Sequence, residues 1–406
     1  MSFDIVVIGA GPAGLCFART LAGSGLRVAL VERQSEAQLA TPPDDGREIA
    51  ITHYSQRLLR ELGLWGELRA EEIGTLRDAK VLDGNDQRGL LFHHEEAGAA
   101  QLGWLVGNHA IRRAAFAQAS AASDVTLLAD TQVTAVQTTA AGAEVSLANG
   151  ETLHAKLVVA ADSRFSETRR AMGIGAETRD FGKTMLVLRM HHDIAHEQVA
   201  WEWFAHGQTL ALLPLHDAHT SSAVLTLPPA EMREVLALDD AALGAAMAAR
   251  FQHRLGAMEV AGPRCAYPLV GVYANRFVAQ RFALIGDAAV GMHPVTAHGF
   301  NFGLLGQYTL ASALHRAANR GGDIASAWLL RGYEHRHRLA TRPLYLATNL
   351  LAGLYTDDRR ATRLVRKLAL GAGVRVTPFK RMVMAGLTAD RGGIPLPSPL
   401  RLLQAR

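Results

Sequence analysis

Two cysteines, Cys16 and Cys265, are all that the 406-residue chain contains. That is too few for a disulfide framework and fits a reducing compartment. Their separation also excludes a redox-active pair of the disulfide-reductase kind. No run of roughly eighteen apolar residues is present to span a bilayer. PLYLATNLLAGLY (343–355) comes nearest, but it is short and carries Thr348 and Asn349. A signal peptide is missing as well, because the opening MSFDIVVIGAGPAGL lacks basic residues and places Asp4 inside its apolar run. Internal repeats and low-complexity tracts are absent, which excludes a solenoid. With 49% hydrophobic and 20% charged residues the composition is that of a globular protein long enough for two domains. A cytoplasmic location is the resulting expectation.

Acidic residues are missing from one stretch in particular. Between Asp358 and Asp390 the chain carries Arg359, Arg360, Arg363, Arg366, Lys367, Arg375, Lys380 and Arg381, interleaved with Leu364, Val365, Leu368 and Leu370. Such a segment is either a solvated helix face or an interfacial one that leans on anionic lipid, peripheral to the inner face of a membrane. The formal charge of +4 does not point to nucleic acid, for which no recognition motif or aromatic platform exists.

What is present begins at the first residues. FDIVVIGA (3–10) is a β-branched apolar run of the kind buried in a parallel sheet. It leads into Gly9-x-Gly11-x-x-Gly14, then a helical pattern to about Leu21, then a second strand, RVALVE, that ends in Glu32. The first glycine permits a tight turn, the second lets a pyrophosphate approach the backbone, and the third lets helix pack on strand. The helix N-terminus faces the phosphate charge, and Glu32 falls where a carboxylate accepts from a ribose hydroxyl. This predicts a dinucleotide site without separating FAD from NAD.

Two later strands each deliver an aspartate at their C-terminal end: LVVAADSRFSETRR (157–170) with Asp162, and RFALIGDAAV (281–290) with Gly286-Asp287. Sheet edges gathered from such distant segments imply one ligand held between them. The intervening segments 46–65 and 108–119 read as helical, each with an arginine near its start. The stretch GDAAVGMHPVTAHGFNFG (286–303) offers two histidines, but His293 and His298 are five apart beside Pro294 and Gly299, which supplies no metal geometry. The neighbouring pairs His93-His94 and His191-His192 point apart if on strands, so no metal is expected.

Taken together, the N-terminal GxGxxG, a middle strand ending in Asp, and a late Gly-Asp resemble the aromatic-hydroxylase family of flavoprotein monooxygenases related to p-hydroxybenzoate hydroxylase. Ser163 departs from that family, which has glycine there. Within the family the chain is most similar to the ubiquinone-biosynthesis hydroxylases. AWEWFAHGQTLALLPL (200–215) resembles their aromatic-acid-aromatic stretch leading into a Leu-Leu-Pro strand. Val290 and Ala297-His298 resemble the UbiM-like subgroup, associated with late ring hydroxylation of demethoxyubiquinol; His298 stands where the branch has glutamine.

The resemblance implies an α/β fold: a Rossmann-like FAD-binding domain (1–175, returning at 276–340), a mixed or antiparallel substrate sheet domain (176–275), and a helical C-terminal region (341–406). It implies FAD as cofactor, NADH or NADPH as reductant and O2 as co-substrate, with oxygen transfer through a flavin C4a-hydroperoxide. Gly9, Gly11, Gly14, Glu32 and Arg33 would hold the ADP half of FAD. Arg47 and Arg112 would approach the ribityl-pyrophosphate, Asp162 would close over the FAD channel, and Gly286-Asp287 would meet the ribityl chain. Backbone amides of Gly299, Phe300 and Asn301 would stabilise charge on the flavin ring. Pro294 and His298 would sit at the reacting face, His298 either relaying a proton or orienting the loop. Trp201, Trp203, Phe204 and Leu213 would line the substrate wall, each otherwise plain core. A polyprenyl phenol or quinol is the implied substrate, with its tail along 340–388, and a ubiquinone-biosynthesis complex is an implied partner. A flavin-dependent halogenase shares the fold, but Ala205-His206 stands where that family has Ile-Pro after its Trp-x-Trp. A flavin-dependent hydroxylase of another aromatic substrate, a prenyl reductase and a non-enzymatic lipid scaffold of the same fold are the remaining alternatives.

Overall fold

The computed structural model describes residues 1–84, 89–205, 207–293, 298–356 and 387–388. Pro294, His206 and the basic run 359–381 lie outside these. Two large sheets organise the chain. The first has six strands, in the order Val278–Ala279, Phe282–Leu284, Leu157–Ala160, Ile5–Ile8, Val28–Val31, Val125–Leu128. All neighbours are parallel except the Val278–Ala279 edge. The strands Ile5–Ile8, Val28–Val31 and Leu157–Ala160 are buried at every residue, as unbroken apolar runs covered on both faces must be. On this sheet pack the helices Pro12–Leu21, Asn108–Ser120 and Gly299–Ala318.

The second sheet is largely antiparallel, with nine strands. Along it run Val290–Gly291, Cys265–Ala274, Ala176–His192, Thr220–Leu227, Gln208–Pro214, Val199–Ala205, Asp78–Asp83 and Leu90–Phe92, while Met258–Val260 pairs beside Ala176–His192. The pleat sends alternate residues to opposite faces. Trp203, Leu82, Leu210 and Leu212 go to one face, packed with Met232, Val235, Leu243 and Met247 of the helices Pro229–Leu236 and Asp240–Arg250. Ala200, Val81 and Leu213 go to the other, where they meet Ala50, Leu76 and Leu102, and Leu387 packs here too. Ala50 and Leu76 belong to a small sheet of Glu48–Ile51, Gly103–Gly107 and Ile73–Leu76.

Three local expectations change. The segment 46–65 is not one helix: Glu48–Ile51 is a strand paired antiparallel with Gly103–Gly107, and the helix starts at His53, capped by Thr52. Long-range pairing overrides local propensity there, and the Thr52 side chain accepts from the Ser55 N–H. His93 and His94 do not point apart on a strand; they start the short helical turn His94–Ala97, with rings stacked 4.6 Å apart. Asp78–Asp83 and Leu90–Phe92 add to the second sheet although they precede it by about a hundred residues, which no local pattern announced. Among the described residues, no helix is long and apolar enough to cross a membrane.

Candidate functional site

The glycine motif follows directly from its backbone. Gly9 takes φ +103°, and a Cβ there would stand 2.7 Å from the Ala161 carbonyl oxygen. A Cβ on Gly14 would fall 2.0 Å from the Gly9 oxygen, so helix and turn meet only because both residues are glycine. Gly11 differs: a Cβ there would meet nothing within 4 Å. It caps the Pro12–Leu21 helix, whose first turn holds no acid and so presents free N–H groups and positive dipole.

Glu32 is drawn onto this turn. Its carboxylate accepts from the Ala10 N–H at 2.7 Å and the Gln34 N–H at 3.0 Å, so the backbone fixes its direction. Arg112 donates to the Gln34 side chain at 2.9 Å, which places it at the Glu32 end of the turn. Arg33 is exposed and has no polar partner among the described residues. Asp162 follows the neighbouring strand. One oxygen accepts from the Thr168 N–H at 3.2 Å, while Oδ1 is buried with no partner among the described residues. A buried carboxylate oxygen left unpaired is costly, and its presence beside the Gly9 turn marks a place for a ligand donor.

The third strand end closes on the first. A Cβ on Gly286, at φ +59°, would fall 2.7 Å from the Ala13 Cβ, and a Cβ on Gly303 would lie 3.5 Å from the Gly286 Cα. The N-terminal turns of Pro12–Leu21 and Gly299–Ala318 therefore converge on Gly286. The Gly299–Ala318 helix also has no acid in its first turn, and a Cβ on Gly299 would meet open space. Phe300 is half-buried at this N-terminus. The Asn301 side chain is engaged structurally, donating to the Ala50 carbonyl at 2.8 Å and accepting from the Thr52 N–H at 3.2 Å. Its backbone amide remains with the helix start.

Asp287 pairs with Arg164 at 3.1 Å, and Arg164 also donates to the Val270 carbonyl. Arg169 bridges the same two segments, donating to the carbonyls of Arg164 and Ala288. Sequence reasoning did not single out Arg164; its proximity to Asp162-Ser163 was the available signal. Arg47 pairs with Asp45 and lies over the Tyr267 ring, whose hydroxyl donates to the Asp45 carbonyl at 2.7 Å. Asp287 lies close enough to add to the field that favours the Arg47 charge, against the opposing effect of burial. His293 stands edge-on to Phe181 at 4.6 Å, and burial, with Arg164 and Arg179 nearby, pushes its pKa down to about 4. It is neutral at physiological pH. His298 precedes the helix with its ring 5.7 Å from that of Phe302. A separate group, Asp78, His93 and His94, has donor atoms within 4.8 Å of one another. The Asp78 carboxylate there is already taken by His94 and Arg77.

The second sheet turns one face to this region. Arg189 reaches from it to Glu48 at 2.7 Å and Asp44 at 3.3 Å, and Tyr267 reaches Asp45. By strand parity Phe204 and Leu213 lie on the same face. Trp201 and Trp203 lie on the other, under Arg254, with the Trp203 indole N–H donating to the Gly84 carbonyl at 2.8 Å. The pleat thus separates aromatics that are neighbours in sequence.

The open positions at Gly11 and Gly299, the two helix N-termini without acid in their first turns, and the Asp162 oxygen that has no partner among the described residues fit a dinucleotide cofactor. Residues 2–345 match the family described as FAD binding domain. The chain is 45% identical over 389 residues to ubiquinone hydroxylase UbiM of Neisseria meningitidis, spanning 95% of this chain and 84% of that protein. It is 35% identical to ubiquinone hydroxylase UbiL of Rhodospirillum rubrum, spanning 94% of this chain and 88% of that one. Its fold matches the crystal structure of p-nitrophenol 4-monooxygenase PnpA from Pseudomonas putida, with TM-score 0.78 and 18% identity over 97% of this chain and all of that one.

Proposed function

Since the chain belongs to the FAD binding domain family and, within it, to the ubiquinone hydroxylases, we propose that it hydroxylates the aromatic ring of a polyprenylated phenol or quinol in ubiquinone biosynthesis. It is an FAD-dependent monooxygenase that consumes NADH or NADPH and O2. The observation that carries this reading is the convergence of Gly9–Gly11, Asp162 and Gly286-Asp287 below the N-terminus of the Gly299–Ala318 helix, whose first turn holds no acid.

When bound, FAD supplies the redox chemistry, hydride acceptance and O2 activation. The protein supplies placement. Gly9, Gly11 and Gly14 would admit the pyrophosphate to the Pro12–Leu21 N-terminus, with Glu32 and Arg112 at the adenosine end. Asp162 Oδ1 would accept from a cofactor hydroxyl, and Asp287, steered by Arg164, would do so at the ribityl chain. The amides of Gly299, Phe300 and Asn301 would stabilise negative charge on the flavin ring. His293, neutral and packed on Phe181, would exclude water from the same edge. His298 and Pro294 would complete the loop at the reacting face, and Phe204 and Leu213 the wall that confronts it.

A lipophilic substrate also supports contact with a membrane surface. The Ala327–Thr356 helix exposes Trp328, Leu339, Leu346 and Leu350 along one side, beside exposed Arg331 and Arg336. Apolar residues beside cations suit an anionic bilayer interface.

The test is turnover by the purified protein with NADH, 18O2 and short-tail quinol precursors, with product mass measured. One labelled oxygen in the ring is the expected result. A protein that binds no flavin, or that oxidises NADH without oxygenating any phenol or quinol offered, overturns the reading.

A further inference from the structure

Glu202 sits between two tryptophans in sequence but points the other way. The strand Val199–Ala205 sends Trp201 and Trp203 to the helix-covered face and Ala200, Glu202 and Phe204 to the face that looks toward the 44–51 segment. In register, Glu202 lies between Ala211 on one neighbouring strand and Val81 on the other, with Val224 next beyond Ala211. A single carboxyl therefore stands in an apolar row on the face of the sheet opposite the helices.

Among the described side chains it has no hydrogen bond and no ion pair. Among the described side chains, the charges near it are engaged or face away. From Ala176–His192, Arg189 is held by Glu48 and Asp44. From Cys265–Ala274, Tyr267 is bonded to the Asp45 carbonyl, and Cys265 packs on Gly46. Gln208–Pro214 and Thr220–Leu227 contain no titratable residue. From Asp78–Asp83, Asp78 is bonded to His94 and Arg77, and Lys80 is in register with Trp201 on the far side, as is Arg254. Glu48, in the small sheet opposite, is taken by Arg189. With no cation beside it among the described side chains, burial pushes the Glu202 carboxyl up to about 8. At neutral pH it is a neutral acid with a proton to donate. An unpaired polar group in an apolar wall costs stability unless a ligand completes it.

We propose that the Glu202 carboxylic acid is a substrate-positioning group, donating a hydrogen bond to an oxygen substituent on the aromatic ring. An apolar wall grips a ring without fixing its rotation, whereas one directional bond sets which carbon faces the flavin. This rests on the proposed ring hydroxylation for the identity of the ligand.

The experiment compares FAD-loaded wild type, Glu202→Gln and Glu202→Leu, each shown to retain flavin and a wild-type melting profile. The probe is a short-tail methoxyphenol, titrated against the flavin absorbance between pH 7 and 9, below the phenol's own ionisation near 10. Product per NADH and ring position are read in parallel. In wild type, binding weakens as pH rises through about 8, where the donor ionises. Glu202→Gln keeps a neutral donor, so its Kd at pH 7 stays within about threefold and the pH dependence disappears. Glu202→Leu loses about tenfold in binding at pH 7 and yields a mixture of ring positions with more NADH wasted. Wild-type Kd and regiochemistry in Glu202→Leu overturn the proposal, and so does an unchanged pH dependence in Glu202→Gln. If wild type binds the phenol but oxygenates nothing, the ring-hydroxylation reading fails, and the Kd series still decides the role of Glu202.

Discussion

Gly11→Ala and Gly14→Ala touch the same motif and should fail in opposite ways. At Gly14 the new methyl carbon would lie 2.0 Å from the Gly9 carbonyl oxygen, a backbone atom fixed by its strand. Overpacking against a yielding neighbour costs about 1–3 kcal/mol, and a carbonyl yields little, so the upper end applies. At about 2.1 cal/mol/K of unfolding entropy per residue, that corresponds to a loss of roughly 3–4 °C in the melting temperature of flavin-free protein. At Gly11 the backbone sits at φ −70°, ψ 177°, which alanine adopts freely, and the methyl meets nothing within 4 Å. Alanine is a poorer N-cap than glycine by about 0.5–1 kcal/mol, and the stiffer unfolded chain returns about 0.4–1 kcal/mol. The apoprotein should melt within about 1–2 °C of wild type. Its methyl would occupy the space assigned to the pyrophosphate, so the FAD Kd should rise tenfold or more, about 1.4 kcal/mol. Calorimetry of stripped protein and flavin-fluorescence titration separate the two effects. A Gly11→Ala apoprotein as unstable as Gly14→Ala, or one with wild-type FAD affinity, would refute the assignment of that open space.

Two further outcomes are expected. Burial alone would raise the Glu72 pKa, but bonds from Arg113 and Arg69 outweigh it and hold it at about 2. A depressed carboxylate stabilises the fold above its ordinary 4.5 and loses that contribution as pH falls toward 2. Glu72→Gln should therefore cost roughly 1–2 kcal/mol at pH 7 in denaturant titrations, with the gap closing between about pH 4.5 and 2; a gap that persists at pH 2 contradicts the pairing. Trp328→Ser combined with Arg331→Glu should reduce sedimentation with phosphatidylglycerol-rich vesicles by tenfold or more, at about 1 kcal/mol per cation near an anionic surface. Unchanged sedimentation removes that helix from the membrane contact.

The first βαβ unit was legible because its causes are local. Apolar runs, the three motif glycines and Glu32 lie within the first 32 residues, and steric limits on adjacent backbone define the turn. The strand ends at Asp162 and Asp287 were legible as endings, yet their chemistry was not. Arg164 reaches Asp287 across 123 residues, and Arg169 ties the same two segments together. The 46–65 segment shows the same limit from the other side, since a strand at Glu48–Ile51 forms only when Gly103–Gly107 is present to pair with it.

By itself the sequence determined a dinucleotide turn and the strands that flank it, because short-range sterics and alternation suffice for these, while the family came from its resemblance to known hydroxylases. The tertiary structure alone decided which face of the WEWFA strand confronts the cofactor region. Alternation says that Trp203 and Glu202 part company; only the helices Pro229–Leu236 and Asp240–Arg250, by covering the tryptophan side, leave Glu202 and Phe204 toward the site. Pairing energies between segments far apart in the chain choose that side, and no window of sequence contains both partners.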